Sequence, residues 1–144
     1  MKTIVLLLML LCSLATFAKF ETDTITNWQI YLDKELILKS NISENGKTIG
    51  YLKLNDNFKT ININIFNCAT NNIKTGKIIQ IIVDGKIIKR FYDYNSNRNT
   101  FAIKKEEIFR LLKKCFTKEI TFKYIDEKNL KGYVLGKLKI KYSQ

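Results

Sequence analysis

The chain has 144 residues and a formal net charge of +12, and it contains neither histidine nor proline. Without histidine, Ser-His-Asp and Cys-His catalysis, imidazole acid–base chemistry and histidine-ligated metals are excluded together. Lysine outnumbers arginine 22 to 3, whereas bidentate reading of phosphates and bases favours the planar arginine fork, so the charge predicts a solvated surface and no specific nucleic-acid partner.

The chain opens on MKTIVLLLMLLCSLATFA, which reads as a secretory signal over 1–18. Lys2 is the basic n-region, Ile4 to Leu14 the apolar core, and Thr16-Phe17-Ala18 the small-x-small cleavage pattern. The run is shorter than the roughly 20 apolar residues a membrane helix needs, which favours cleavage after Ala18 over a retained anchor. Lipid attachment at Cys12 is disfavoured, because Leu11 before it is not small. The expected product is an exported chain, periplasmic or secreted, and no later run is long enough to span a membrane. Its lysine, isoleucine and asparagine usage is that of an AT-rich genome and, with the short signal, fits a bacterium at least as well as a eukaryote. Residues 19–144 suit one β-rich domain with its own core.

The elements then follow in order. NWQIYL places Trp28, Ile30 and Leu32 on one face, and ELILKS pairs back on it through an Asp33-Lys34 turn. Asn45-Gly46 centres a turn that tolerates positive φ, and TIGYLKLN is the next strand. FKTININIF alternates Ile61, Ile63 and Ile65 with Thr60, Asn62 and Asn64, the pattern of a half-buried strand. NCATNNIKTG is a loop. KIIQIIVDGKIIKRFY is a hairpin about Asp84-Gly85, and its apolar first strand, Ile78 to Val83, is expected to be central and covered on both faces.

The stretch RFYDYNSNRNT leads through TFAI to a helix over about 105–115. There Ile108, Leu111, Leu112 and Cys115 form one apolar stripe, with Glu106 and Glu107 in the first turn and Lys113 and Lys114 in the last, as the macrodipole prefers. EITFKYI and KGYVLGKLKIKY close the chain, and Gly132 and Gly136 predict a bulge or bend. With no proline, lysines 137, 139 and 141 are expected to guard a sheet edge. The fold class is mainly β: a single-domain, mostly antiparallel sandwich or partly open barrel of about eight strands with one short helix.

Chemistry-bearing motifs are few. No phosphate-binding glycine loop and no calcium loop appear; Asp93, Asn95 and Asn97 alternate, but neither the glycine nor the bidentate glutamate of such a loop follows. Paired carboxylates, as in glycoside hydrolysis, are the one enzyme route left open, yet Asp84, Asp93 and Asp126 each fall where a turn favours aspartate. Trp28, on the Ile30 and Leu32 face, is expected in the core. Asn41-Ile42-Ser43 matches a glycosylation sequon, which matters only in a host that uses it. The candidate recognition residues are Arg90, Tyr92, Tyr94, Asn95, Asn97 and Arg98, with Phe91 turned to the core on the side of Ile87. Tyrosine rings supply contact area at low entropy cost, while the arginine and amide groups give direction.

The functional expectation is an exported, non-catalytic binding or structural protein of the cell envelope that needs no cofactor or metal and recognises an envelope or secreted protein. The alternatives are a carbohydrate- or anion-binding module using Tyr92, Tyr94 and Arg98, with a glycan as partner, and a small carboxylate-dependent hydrolase. Cys68 and Cys115, the cysteines left after cleavage, are expected to form one disulfide; closing that loop stabilises by about 4 kcal/mol in the chain-entropy model. Separate burial as two thiols is the alternative. Thiol titration of the folded, exported chain should find no free thiol before reduction and both cysteines after it. Reactive thiols on unfolding without reductant would refute the bridge.

Overall fold

The computed structural model describes residues 26–53, 55–66, 76–93, 100–115, 119–127 and 129–141. They form strands β1 (Asn27–Leu32), β2 (Glu35–Asn41), β3 (Ile49–Lys53), β4 (Thr60–Phe66), β5 (Lys77–Val83), β6 (Lys86–Asp93), β7 (Thr100–Lys104), β8 (Glu119–Asp126) and β9 (Asn129–Lys141), with helix α1 (Lys105–Cys115) between β7 and β8. One sheet has the order β2-β1-β4-β7 and the other β3-β9-β8-β5-β6. The expected sandwich is therefore present, with nine strands. The one not anticipated is β7, TFAIK, whose two apolar residues are too few to announce a strand. Phe101 and Ile103 are nevertheless buried, because β7 pairs antiparallel with β4 and completes that sheet.

Alternation decides which face is buried. On the four-stranded sheet the inner face is Trp28, Ile30, Leu32, Ile61, Ile63, Ile65, Phe101 and Ile103; on the other it includes Ile79, Ile81, Val83, Ile120, Phe122 and Tyr124. Aromatic pairs join the layers: Trp28 lies over Tyr133 with centroids 6.2 Å apart, and Phe101 meets Tyr124 edge-on at 6.5 Å. Trp28 is fully buried, as its position on the apolar face predicts. Its indole N–H donates to the carbonyl of Leu135 in the opposite sheet.

That carbonyl belongs to a bulge. In the pairing of β8 with β9, Phe122 faces Gly136 and Lys123 faces Val134, so Leu135 is the extra residue. The bulge shifts the alternation by one position. Tyr133 and Leu135 point inward before it, and Leu138 and Ile140 do so after it. The bend expected from the glycines is thus present, with Gly136 at φ 147°.

The turns also follow the sequence: Asp84 and Gly85 have φ 49° and 73°, and Asn45 and Gly46 have φ 26° and 82°. The second turn does more than reverse the chain. It carries it from β2 in one sheet to β3 in the other, where β3 pairs parallel to β9. Because β3 occupies that flank, β9 is an interior strand, and Lys137, Lys139 and Lys141 do not guard an edge; the edges are β2, β7, β3 and β6. Lys141 instead places its Nζ over the Tyr51 ring at 4.0 Å.

Helix α1 buries Ile108 and Leu112 and packs Leu111 against the same core, as its periodicity predicts, and Phe109 joins them; the side chain of Cys115 lies outside those described. Its first residue, Lys105, seats its Nζ over Phe58 and Phe109 at 4.8 and 5.3 Å and donates to the Asp56 carbonyl at 2.6 Å. The Lys89–Glu107 ion pair, at 3.2 Å, ties the helix to β6. Cys68 lies outside the described residues, so the expected Cys68–Cys115 bridge does too.

Two glycine substitutions separate the demands of a turn from those of packing. Gly85 faces open space, so Gly85→Ala meets only the cost of its positive φ, about 1 kcal/mol. A methyl at Gly136 would lie 2.6 Å from Leu38 Cδ1 and 3.0 Å from the Thr48 carbonyl. Gly136→Ala should therefore cost about 3 kcal/mol or more, read as the difference between the two urea midpoints.

Candidate functional site

The bulge logic recurs in β6 and decides where Arg90 and Tyr92 point. Ile81 faces Lys89 while Ile82 faces Ile87, leaving Ile88 as the extra residue. Ile88 and Phe91 therefore both pack against the core, and Ile87 is exposed. The expectation that Phe91 turns inward holds, but Ile87 does not share its side, because the bulge reverses the alternation between them.

Arg90 and Tyr92 both lie on the outer face. Three cross-strand rows run over β6, β5 and β8: Tyr92–Ile78–Ile125, Arg90–Gln80–Lys123 and Ile87–Ile82–Thr121. Half-buried Ile78, Ile82 and Ile125 frame the middle row, and Tyr92 and Ile87 are 51% and 43% exposed. So β5 is an interior strand, as its apolar run predicts, but only its inner face is shut. Tyr94, Asn95, Asn97 and Arg98 lie outside the described residues.

Gln80 stands at the centre of these rows. It is only 7% exposed, and its side chain has no hydrogen-bond partner among the described residues. No enclosed side-chain polar atom among those residues lacks a partner. The buried part of Gln80 is consequently its stem, and the amide tip is what emerges, between Arg90 and Lys123. A donor and acceptor pair is thus held nearly immobile within an aliphatic and cationic surround. Sequence reasoning passed over Gln80 because it interrupts an otherwise apolar run; that interruption was the available signal. Lys123 and Ile125 were not assignable to this face before the β5–β8 pairing was known.

The carboxylates occupy structural positions. Asp84 is on an exposed turn, and Asp126 Oδ1 accepts from the Asn129 N–H at 2.8 Å. Asp93 and Asp126 stand on either side of Lys77 in the register, and Lys77 is 6% exposed. A lysine therefore holds the strand position between the two acids. No group of three or more metal-ligating side chains occurs among the described residues. No helix among them is long and apolar enough to cross a membrane.

One heavily used carboxylate reads from the sequence only as a turn residue. Asp33, at the β1–β2 turn with φ 52°, accepts from the backbone N–H groups of Lys59 and Thr60 at 3.0 and 2.9 Å and from the Thr60 hydroxyl at 3.1 Å. The Thr60 N–H does most to hold its carboxyl below the ordinary value of 3.8; partial desolvation opposes this, and the Lys59 N–H, the Thr60 hydroxyl and the Lys59 charge add to it. Glu44 is lowered likewise, first by the Ser40 hydroxyl at 2.7 Å and then by Thr48 at 3.0 Å.

A carboxyl whose folded pKa is depressed adds stability above its unfolded pKa and loses it as the pH falls through the folded value. Asn at position 33 keeps the turn conformation but removes the charge. Asp33→Asn should therefore be less stable than the parent at about pH 7, the two converging as the pH drops below about 4 toward 2. Urea midpoints across that range measure it, and a gap that persists undiminished at the acid end would refute the assignment.

No known protein family matches the sequence, and no curated protein is similar enough to lend it a function.

Proposed function

We propose that this chain is an exported, non-catalytic binding protein of the cell envelope, and that it recognises a protein partner through the outer face of β6, β5 and β8. The Gln80 amide, anchored by its buried stem and lacking a partner among the described residues, carries this reading. A polar group fixed in an aliphatic frame loses little entropy when it pairs with a backbone or carboxylate group of another protein. Tyr92 adds an exposed ring, and Arg90 and Lys123 supply cations on either side, which together suit an apolar surface bearing acidic groups. The leader-like residues 1–18 support export, and the charge of +12 favours encounter with an anionic envelope.

The test is capture from the envelope fraction of the producing organism at near-physiological salt, using residues 19–144 as bait beside an Arg90→Ala/Tyr92→Ala variant. Both side chains are exposed, so the variant should fold as the parent does. One protein retained by the parent, with affinity reduced about tenfold or more in the variant, is the expected result, because central tyrosine and arginine contacts each carry about 1–2 kcal/mol or more. Equal retention of the same salt-eluted material by both baits would overturn the proposal.

A further inference from the structure

The other outer face of the sandwich has a different chemistry. On β1, β4 and β7 the outward positions form two rows, Gln29–Asn64–Thr100 and Tyr31–Asn62–Ala102. In a chain with 25 lysines and arginines, both rows are uncharged over these three strands; on the edge strand β2 the first row continues to Lys39. Ala102 contributes only a methyl, and the Asp33-Lys34 turn overhangs one end. Between them lies a shallow depression of about 360 Å³ lined by Tyr31, Asp33, Lys34, Asn62, Asn64 and Thr100, within the size range of small-ligand sites.

Its polar groups are part-committed in a way that orients them. Asn62 Nδ2 donates to the Asp33 carbonyl at 2.9 Å and to Thr60 Oγ1 at 3.1 Å, which holds the amide in one plane and leaves its Oδ1 as an acceptor. The Tyr31 hydroxyl donates to Gln29 Oε1, so the tyrosine oxygen still accepts and the Gln29 NH2 still donates. Asn64 and Thr100 make no side-chain hydrogen bond among the described residues. The Asp33 carboxylate is engaged by the Lys59 and Thr60 N–H groups, which pins the overhanging turn.

We propose that this face is a second binding site and that it takes an uncharged, polyhydroxylated ligand, a neutral oligosaccharide. Vicinal hydroxyls each present a donor and an acceptor, which the Asn64 amide, the Asn62 Oδ1, the Gln29 NH2 and the Thr100 hydroxyl match pairwise. The Tyr31 ring offers an apolar flank for the C–H side of a sugar ring. Oriented amides spend little entropy on binding. An anionic ligand would meet the Asp33 carboxylate in the lining, and an apolar peptide would desolvate the Asn64 amide and the Thr100 hydroxyl without supplying partners. The site lies across the sandwich from Gln80, so it is independent of the protein-binding face.

The experiment is titration of ¹⁵N-labelled residues 19–144 with maltopentaose, chitotetraose, mannotriose and a sulfated heparin tetrasaccharide, following the side-chain NH2 resonances of Gln29, Asn62 and Asn64. Saturable shifts of those resonances with at least one neutral sugar are expected, persisting in high salt. Asn64→Ala should weaken that binding by about tenfold without loss of fold, because Asn64 has no side-chain partner among the described residues to lose. Tyr31→Phe, which keeps the ring, should weaken it less than Tyr31→Ala. No shift with any neutral sugar at about 10 mM, well above ordinary weak affinities, would overturn the proposal. So would binding only of the sulfated tetrasaccharide that salt abolishes, or neutral-sugar binding unchanged in Asn64→Ala.

Discussion

The sandwich closes on one bulged residue. Leu135 is the extra residue in β9, and a bulge leaves part of the ladder unpaired. A carbonyl so displaced in a buried strand would be costly without a donor. The Trp28 indole N–H crosses from the opposite sheet to supply one. The largest side chain of the core and the chief irregularity of its longest strand are thus one arrangement. The same bulge lets Tyr133 and Leu135, then Leu138 and Ile140, face the same interior, which no unbroken strand of that sequence could do.

Both proposed binding surfaces lie outside this core. The two outer faces differ because their sequences alternate different partners against the same isoleucines. TININIF sets amides and threonine outside, and IIQIIV sets isoleucines and one glutamine there. Hence one face is a hydrogen-bonding platform pinned by Asp33, and the other is an aliphatic and cationic surface around a single anchored amide. Both derive their rigidity from the core beneath, since alternate residues of every strand in them are immobilised by packing. The bulge at Ile88 shapes this face as well, because it carries Ile87 out to the side that Arg90 and Tyr92 occupy.

Several features were legible because they depend on neighbours in the chain. Period-two alternation located the inner faces of β1, β4 and β8, the Asp-Gly and Asn-Gly pairs located turns, and the glycines of the last strand announced its bend. The helix was readable from its stripe and from its charged ends. The strand β7 was not, since five residues with two apolar positions say little until β4 is beside them. Lysines 137, 139 and 141 were misjudged for a similar reason: whether a strand is an edge depends on a partner far away in sequence, here β3, whose parallel pairing no local pattern encodes. Arg90 and Tyr92 could be placed on one face from their spacing, whereas Gln80, Lys123 and Ile125 joined them only through strand pairing.

By itself, then, the sequence determined a mainly β domain, the residues that must be buried, and the absence of imidazole chemistry. Each of these follows from composition or from periodicity within a single segment. Tertiary structure decided the strand order, the edges, the phase shifts at Leu135 and Ile88, and which polar side chains share an outer face. These depend on pairings across dozens of residues, and a one-residue change of register moves a side chain from core to solvent. The candidate sites belong to that second class: Gln80 with Arg90 and Lys123, and Asn64 with Gln29 and Thr100, are neighbours only across strands.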